Sequence, residues 1–253
     1  MANKFVLVGI SGLIVCGVCL AAAAVIGGKE LRDKVVQDRD FDNRVFDISI
    51  LDDIGGRPRC AFGESGRQAS RELPWTGGDR VNIVLQANIH YKRGSGEAVV
   101  VRGDSAVLDH VHITNSNEIR LDCRGRVDGE LDVTLPGRDF RSFAIAGRGN
   151  MVLENIDQPE LHLLMGGATE ITASGKTQKL DVKMGGSNRA WLGDLQTEDA
   201  RLDMGGSNNA EVSAKGDLTV NLGGDGKVQL KVEPRHLDTH IAGSGRIIHA
   251  SEL

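Results

Sequence analysis

The sequence is short of aromatic residues. Phe, Trp and Tyr make up 4% of its 253 residues, so large rings do not dominate the core and burial must fall mainly on aliphatic side chains. Proline is scarce at 5 residues, which argues against a Pro-rich low-complexity segment. Basic charge is not in excess. Lys plus Arg is 30 against 35 Asp plus Glu, a net charge of −5, and a chain without a basic stripe is not expected to take nucleic acid as a partner. Cysteine is rare, at 4 residues, and outside the N-terminal apolar run no CxxC or Cys/His spacing suggests a zinc site. What is abundant is glycine: 33 residues, about 13% against a usual share of about 7%. With 40% apolar and 26% charged content, the chain is not a disordered acidic tail. The glycine excess suggests frequent chain reversal around thin aliphatic layers.

Residues 5–28 carry no charged side chain, with Lys4 in front and Lys29 behind. As a helix this run spans about 36 Å, enough for a hydrocarbon layer of ~30 Å. A buried core helix would show a polar face, and none is present. Lys4 and the alanines at 21–24 also fit a cleaved signal, although the apolar run is longer than a signal needs. Residues 1–28 are therefore expected to be a signal peptide or a transmembrane anchor, the length favouring the anchor. In both cases the remainder leaves the cytoplasm, and the membrane is a partner through residues 5–28. Cys16 and Cys19 each follow a valine, which is not the small residue of a lipoprotein site, and both read as small hydrophobes. Cys60 and Cys123 fall in the exported part, where a disulfide is permitted but an unpaired state is equally compatible. Residues 29–80 are charged and weakly patterned, and are expected to form a stalk and partial cap, with one strand placed within 41–54.

From residue 143 onward a repeat is visible. The second member of six small-residue pairs is Gly147, Gly167, Gly186, Gly206, Gly224 and Gly243, at steps of 20, 19, 20, 18 and 19. Two residues before these glycines stand Ile145, Met165, Met184, Met204, Leu222 and Ile241, and four before stand Phe143, Leu163, Val182, Leu202, Val220 and Thr239. Four residues after stand Met151, Ile171, Ala190, Ala210, Val228 and Ile247. Apolar side chains at every second position mark strands with one buried face. Two after the glycine come Gly149, Thr169, Asn188, Asn208, Gly226 and Gly245, mostly residues that accept positive φ. Each unit thus reads as strand, sharp glycine corner, strand, looser corner. Such a unit is too short for a βαβ module or a propeller blade of about 40 residues. The expected fold is all-β: a single-stranded parallel β-helix (solenoid) of ~19-residue coils, about 4.8 Å apart. It would occupy 81–249, regular over 143–249, with an irregular N-terminal β cap and the hydrophobic helix before it. Met165, Met184 and Met204 are expected to stack inside. Residues 81–85, 98–101, 107–113, 119–123 and 131–135 also alternate, and are expected to form irregular first coils or a sandwich-like cap.

The repeated strand, small-residue corner and strand, following a more varied half, resemble the auto-transporter adhesin head GIN domain family. The residues carrying the resemblance are Ile145-Ala146-Gly147-Arg148-Gly149-Asn150, Met165-Gly166-Gly167, Met184-Gly185-Gly186-Ser187-Asn188, Met204-Gly205-Gly206-Ser207-Asn208, Leu222-Gly223-Gly224-Asp225-Gly226 and Ile241-Ala242-Gly243-Ser244-Gly245. The stretch 81–136 is also similar to the family's opening strands. This sequence has Gly-Gly-Ser-Asn where the family more often has Gly-Ser-Gly, which leaves the fold intact but alters the corner surface. The resemblance implies a β-helical envelope protein and brings no catalytic residues.

Chemistry is hard to find along the chain. Ser174-Gly175-Lys176-Thr177 ends like a phosphate-binding loop, but Glu170 stands where its first glycine is needed. Gly223-Gly224-Asp225-Gly226-Lys227-Val228 starts like a calcium-binding β-roll but has Val228 in the ligand position. His110 and His112 are two apart on an expected strand, and no carboxylate or cysteine completes a metal set at known spacing. In the outward columns, Lys183, Asp203 and His240 line one face, beside Asp181, Arg201, Thr219 and Asp238, and Trp191 is the large exposed ring. Asp203 and Glu211 are the nearest approach to a carboxylate pair. The sequence therefore leads to a non-enzymatic, membrane-tethered domain with no cofactor, no metal and no catalytic residue. It would sit in the periplasm or at the cell surface and contact an envelope glycan or protein. The alternative is a carbohydrate-active β-helix enzyme, a polysaccharide lyase or hydrolase.

Overall fold

The structure is a computed structural model and describes residues 58–60, 62, 66–123 and 131–252. The apolar run at 5–28, the strand expected within 41–54 and much of the stretch read as stalk lie outside these residues. The described chain is nearly all β. Its strands are β1 (Gln68–Pro74), β2 (Arg80–Val84), β3 (Ala87–Lys92), β4 (Ala98–Asp104), β5 (Val111–Ile113), β6 (Glu118–Leu121), β7 (Leu131–Thr134), β8 (Ser142–Gly186), β9 (Arg189–Ala214), β10 (Asp217–Leu230), β11 (His236–Ala242) and β12 (Arg246–Ile248). One short helix, α1 (Ser105–Leu108), and a 3₁₀ turn (Ala250–Glu252) complete it. All twelve strands belong to one sheet, which wraps almost to closure, barrel-like, around the apolar core.

β8 runs for 45 residues, and a straight strand of that length would reach roughly 150 Å. It is bent instead at Gly147 and Gly167, where φ is +118° and +102°. The later turns then lie in parallel, in a register that follows the sequence columns. Leu180 pairs with Ala200 and Met184 with Met204. Ala200 in turn pairs with Leu218 and Met204 with Leu222, and these with Leu237 and Ile241. Beyond the corner Ile171 pairs with Ala190, and Ala210 with Val228. Met165, Met184 and Met204 are all buried.

The corners explain the glycines. Gly167, Gly186, Gly206, Gly224 and Gly243 all have φ between +99° and +128°. A Cβ on Gly186 would lie 2.3 Å from the Gly167 carbonyl oxygen, and one on Gly206 would lie 2.4 Å from that of Gly186. The neighbouring turn passes where a side chain would stand. The position two residues on behaves otherwise than its composition suggests. Asn188 and Asn208 do not adopt positive φ; among described non-glycine residues only Asn117 and Asn155 do. They are buried, at 1% and 0% exposure, and form a ladder. Asn208 Oδ1 accepts from Asn188 N at 3.0 Å and Asn188 Nδ2 at 2.8 Å. Asn188 Oδ1 accepts from Thr169 N and Oγ1, and the two Nδ2 groups donate to the carbonyls of Gly185 and Gly205.

The N-terminal part is mixed. β2 lies between β6 and β8 and β3 between β7 and β8, all in parallel. β1·β4, β4·β7 and β5·β6 are antiparallel. Ile83 therefore pairs with both Ile145 and Ile119, and Ile89 with both Met151 and Val133. β6 and β7 thus lie on the far side of β2 and β3 from β8, although in sequence they fall between β3 and β8. Four of the few aromatics gather here: Phe140 contacts Trp75, Tyr91 and Phe143 at ring separations of 5.3, 5.8 and 5.7 Å. Tyr91 donates its hydroxyl to the Arg138 carbonyl, and its burial holds the phenol above its ordinary pKa. Cys60 and Cys123 are joined in a disulfide, which ties residue 60 to the end of β6. Two expectations change. The strand expected over 107–113 gives way at its start to α1, because the Asp104 carboxylate caps it by accepting from Ala106 N at 2.9 Å. β1 and β3 were not anticipated, and β1 lies within the stretch read as stalk and partial cap.

The corner geometry makes two predictions. Gly186→Ala should cost about 1–3 kcal/mol through φ strain and carbonyl overlap, whereas Gly185→Ala, with open space around its would-be Cβ, should stay within about 0.5 kcal/mol. Urea unfolding of the two variants makes the comparison. Asn188→Ala should cost about 2–3 kcal/mol by leaving buried donors and acceptors unpaired, read from the same melts as a lowered midpoint at unchanged slope.

Candidate functional site

Two outward regions carry polar groups in number. The first follows the strand before each glycine corner. His162, Asp181, Arg201, Thr219 and Asp238 form one column; Lys183, Asp203, Asn221 and His240 form the next, in the register Lys183↔Asp203↔Asn221↔His240. The structure thus brings Lys183, Asp203 and His240 onto one face. Asp203 is held on both sides: its Oδ2 accepts from Arg201 Nε at 3.1 Å and its Oδ1 from Asn221 Nδ2 at 2.6 Å. Asp181 is different. Burial raises its pKa, with Lys183 and Arg201 pulling it down and Asp203 pushing it up. Its Oδ1 is buried with no hydrogen bond among the described residues. Glu211 lies beyond the corner on the other strand of its turn, opposite Gln229, where its Oε1 meets Lys231 at 3.5 Å. Asp203 and Glu211, the nearest approach to a carboxylate pair in the sequence, thus stand on opposite sides of the Gly206 corner, and the carboxylate neighbouring Asp203 is Asp181.

The second region follows the corner. Glu170 pairs in register with Arg189, and Thr172 with Trp191. Trp191 is 42% exposed. Its indole Nε1 donates to Glu170 Oε1 at 2.9 Å, and Glu170 Oε2 faces Arg189 Nη1 at 3.7 Å. The ring is thereby held at its nitrogen edge while much of the side chain stays exposed. Beside it runs a groove of about 310 Å³ whose lining includes Asn88, Arg148, Asn150, Glu170, Ser187 and Arg189. Within its lining Asn150 donates to Asn88, its register partner on β3, at 3.3 Å. Sequence reasoning singled out Trp191 but missed the groove. Asn88 lies 62 residues from its partner Asn150, outside the visible period.

Elsewhere, Asp122 bridges His110 and His112, at 2.8 and 3.3 Å, and these imidazoles hold its carboxyl below the ordinary range, the His110 bond most strongly. His110 precedes β5 rather than sharing it. Cys123, near His110 and Asp122, is committed to the disulfide. Gly175 sits at a corner with φ +123° against the Ile156 backbone, and Lys176 extends to Asp157 at 3.5 Å.

Among the described residues no helix is long and apolar enough to cross a membrane. No curated protein matches the chain. It is similar to the crystal structure of a putative adhesin from Bacteroides fragilis NCTC 9343, at 14% identity and TM-score 0.58, covering 72% of this chain and 97% of that one. Further structures are a putative lipid binding protein from Parabacteroides distasonis ATCC 8503 (15% identity, 73% and 97% covered, TM-score 0.43) and a putative adhesin from Parabacteroides merdae ATCC 43184 (13% identity, 73% and 96% covered, TM-score 0.42). At these identities only the fold is shared, and the first carries that point. Residues 119–234 match the family described as "Putative auto-transporter adhesin, head GIN domain".

Proposed function

We propose that the chain is a non-enzymatic adhesion domain, exported and tethered to the membrane by residues 5–28, whose parallel turns coil as a β-helix and display a glycan-binding groove. The carrying observation is the exposed Trp191 indole, hydrogen-bonded to Glu170 of the amide- and guanidinium-lined groove. A sugar ring offers an apolar face that stacks on an indole and a rim of hydroxyls that pair with amides, carboxylates and guanidiniums. The groove is at the lower end of the ~300–1,000 Å³ that ligand sites span, which suits a short saccharide unit. Its two arginines against one glutamate favour a sugar bearing a carboxylate. The family match and the adhesin fold relative are consistent with this reading. Trp191→Ala and Arg148→Ala should each lower retention of the full chain on arrayed envelope glycans about tenfold, a loss of about 1.4 kcal/mol, with circular dichroism unchanged. Undiminished retention of both variants would overturn the groove as the binding surface.

A second reading, a polysaccharide lyase or hydrolase, is favoured by one observation: Asp181 has a raised pKa beside Asp203, as a general acid would. Burial is the largest cause of the shift, with the Asp203 charge adding to it, and Asp203 is already consumed by Arg201 and Asn221. If Asp181 is only a buried carboxyl, its neutral form is the one the fold prefers. Its contribution is then fully present below the unfolded pKa near 3.8 and is lost as pH rises through the raised folded value. Asp181→Asn should therefore be more stable than the parent at pH 7, with the difference vanishing toward pH 3 in thermal melts. Polysaccharide cleavage by the parent that disappears in Asp181→Asn would install the enzyme reading instead.

A further inference from the structure

The last turn of the stack ends on an open edge. β11 pairs with β10 and with no other strand among the described residues. In β10 the inward side chains Leu218, Val220 and Leu222 are 1%, 0% and 2% exposed. Their partners one turn on are Leu237, which is half-buried, Thr239, which is exposed, and Ile241, which is 42% exposed. The strand after the corner is better protected. Behind β12 the 3₁₀ turn is fastened back by Glu233, whose Oε1 accepts from Ala250 N at 2.8 Å and whose Oε2 meets His249 Nδ1 at 3.1 Å. Among the described residues β11 has no such cover. It also lacks the lysine, proline or bulge that commonly guards a free edge.

The sequence of this edge is complementary to itself. Read antiparallel about Thr239, the strand His236-Leu237-Asp238-Thr239-His240-Ile241-Ala242 sets Leu237 opposite Ile241 of a second copy and Asp238 opposite His240 of that copy. Directly opposed residues of an antiparallel pair share a face. The two Leu–Ile pairs would continue the apolar column on the core side, and the two Asp–His pairs would close on the outer side. Within one chain Asp238 and His240 stand 3.8 Å apart and well exposed, so both are available. We infer that β11 is a homodimer edge, joining two copies end to end about a two-fold axis through Thr239. Such an isologous contact closes on itself and leaves no free β11 edge.

The test is site-specific cross-linking of the full chain in mild detergent, on a Cys16→Ser/Cys19→Ser background. Thr239→Cys should oxidise to a covalent dimer at least about tenfold faster than Asp217→Cys, an exposed position one turn away. Asp238→Cys and His240→Cys should each cross-link poorly alone and readily when mixed. Ile241→Asp, measured by sedimentation, should shift the assembly from dimer to monomer without changing the melting profile of the monomer. Thr239→Cys reacting no faster than Asp217→Cys, or a mixture no more reactive than its components, would overturn the inference. So would a parent chain that sediments as a monomer at 100 μM, whether or not another protein's strand occupies the edge. None of these outcomes depends on the Trp191 groove.

Discussion

The packing depends on one approach: the carbonyl of one corner glycine lying where the Cβ of the next would be. Gly167, Gly186, Gly206, Gly224 and Gly243 each meet the preceding glycine's oxygen at 2.3–2.6 Å from the would-be Cβ. That contact fixes how near successive turns lie at the corner, and the backbone ladder fixes it along the strands. Once both agree, the side chains on either flank fall into columns without further instruction. Met184 over Met204 over Leu222 is a consequence of the register, and so is the outward row Lys183, Asp203, Asn221, His240. A side chain at any of these glycines would separate two turns and disturb every column they share. Because contacts in such a stack run mainly between neighbours, the damage would be local but would reach both adjoining turns.

The corner has a second layer, and it is polar. A buried turn leaves backbone groups that no ladder reaches, and these must be paired. Asn188 and Asn208 do this by passing hydrogen bonds from turn to turn, Thr169 to Asn188 to Asn208. The relay stops at Gly226, where no side chain can continue it. There and at Gly245 the space belongs to Leu222, whose methyls lie 2.8 and 1.9 Å from the would-be Cβ atoms. The Gly-Gly-Ser-Asn variation is thus an internal feature. It exchanges an apolar plug for an amide ladder in the middle of the stack, rather than altering the exposed corner.

What could be read from the residues follows the same logic. The period was legible because residues that stack are 18–20 apart and must satisfy the same two constraints, a small corner and alternating apolar flanks. Columns, register and outward rows came with it. The role of Asn188 and Asn208 was not legible, since asparagine at a corner suits both positive φ and a buried amide, and only packing decides between them. The N-terminal turns were hidden for a topological reason. Ile83 stacks on Ile145, 62 residues on, and on Ile119, 36 residues on, so no fixed period connects them. α1 was misread because Val107 and Leu108 look like strand residues until Asp104 is recognised as their cap. The groove beside Trp191 straddles this boundary, with Asn88 from the non-periodic half and Arg189 from the periodic one.

The outward rows are where function has room to vary, because the corner and core constraints do not reach them. On these rows most acids in reach of a site are already engaged. Asp203 is taken by Arg201 and Asn221, Glu211 by Lys231, and Glu170 by Trp191 and Arg189. Acid–base catalysis needs carboxylates that can change protonation state against substrate, and carboxylates bound into ladder pairs resist that. The groups left facing solvent are of another kind: an indole face, arginine heads and side-chain amides on a rigid lattice. A rigid display of such groups binds without needing to react, and it loses little entropy in doing so. That is the physical basis of the proposed recognition role, in which the stack would serve to hold a few side chains at fixed spacing.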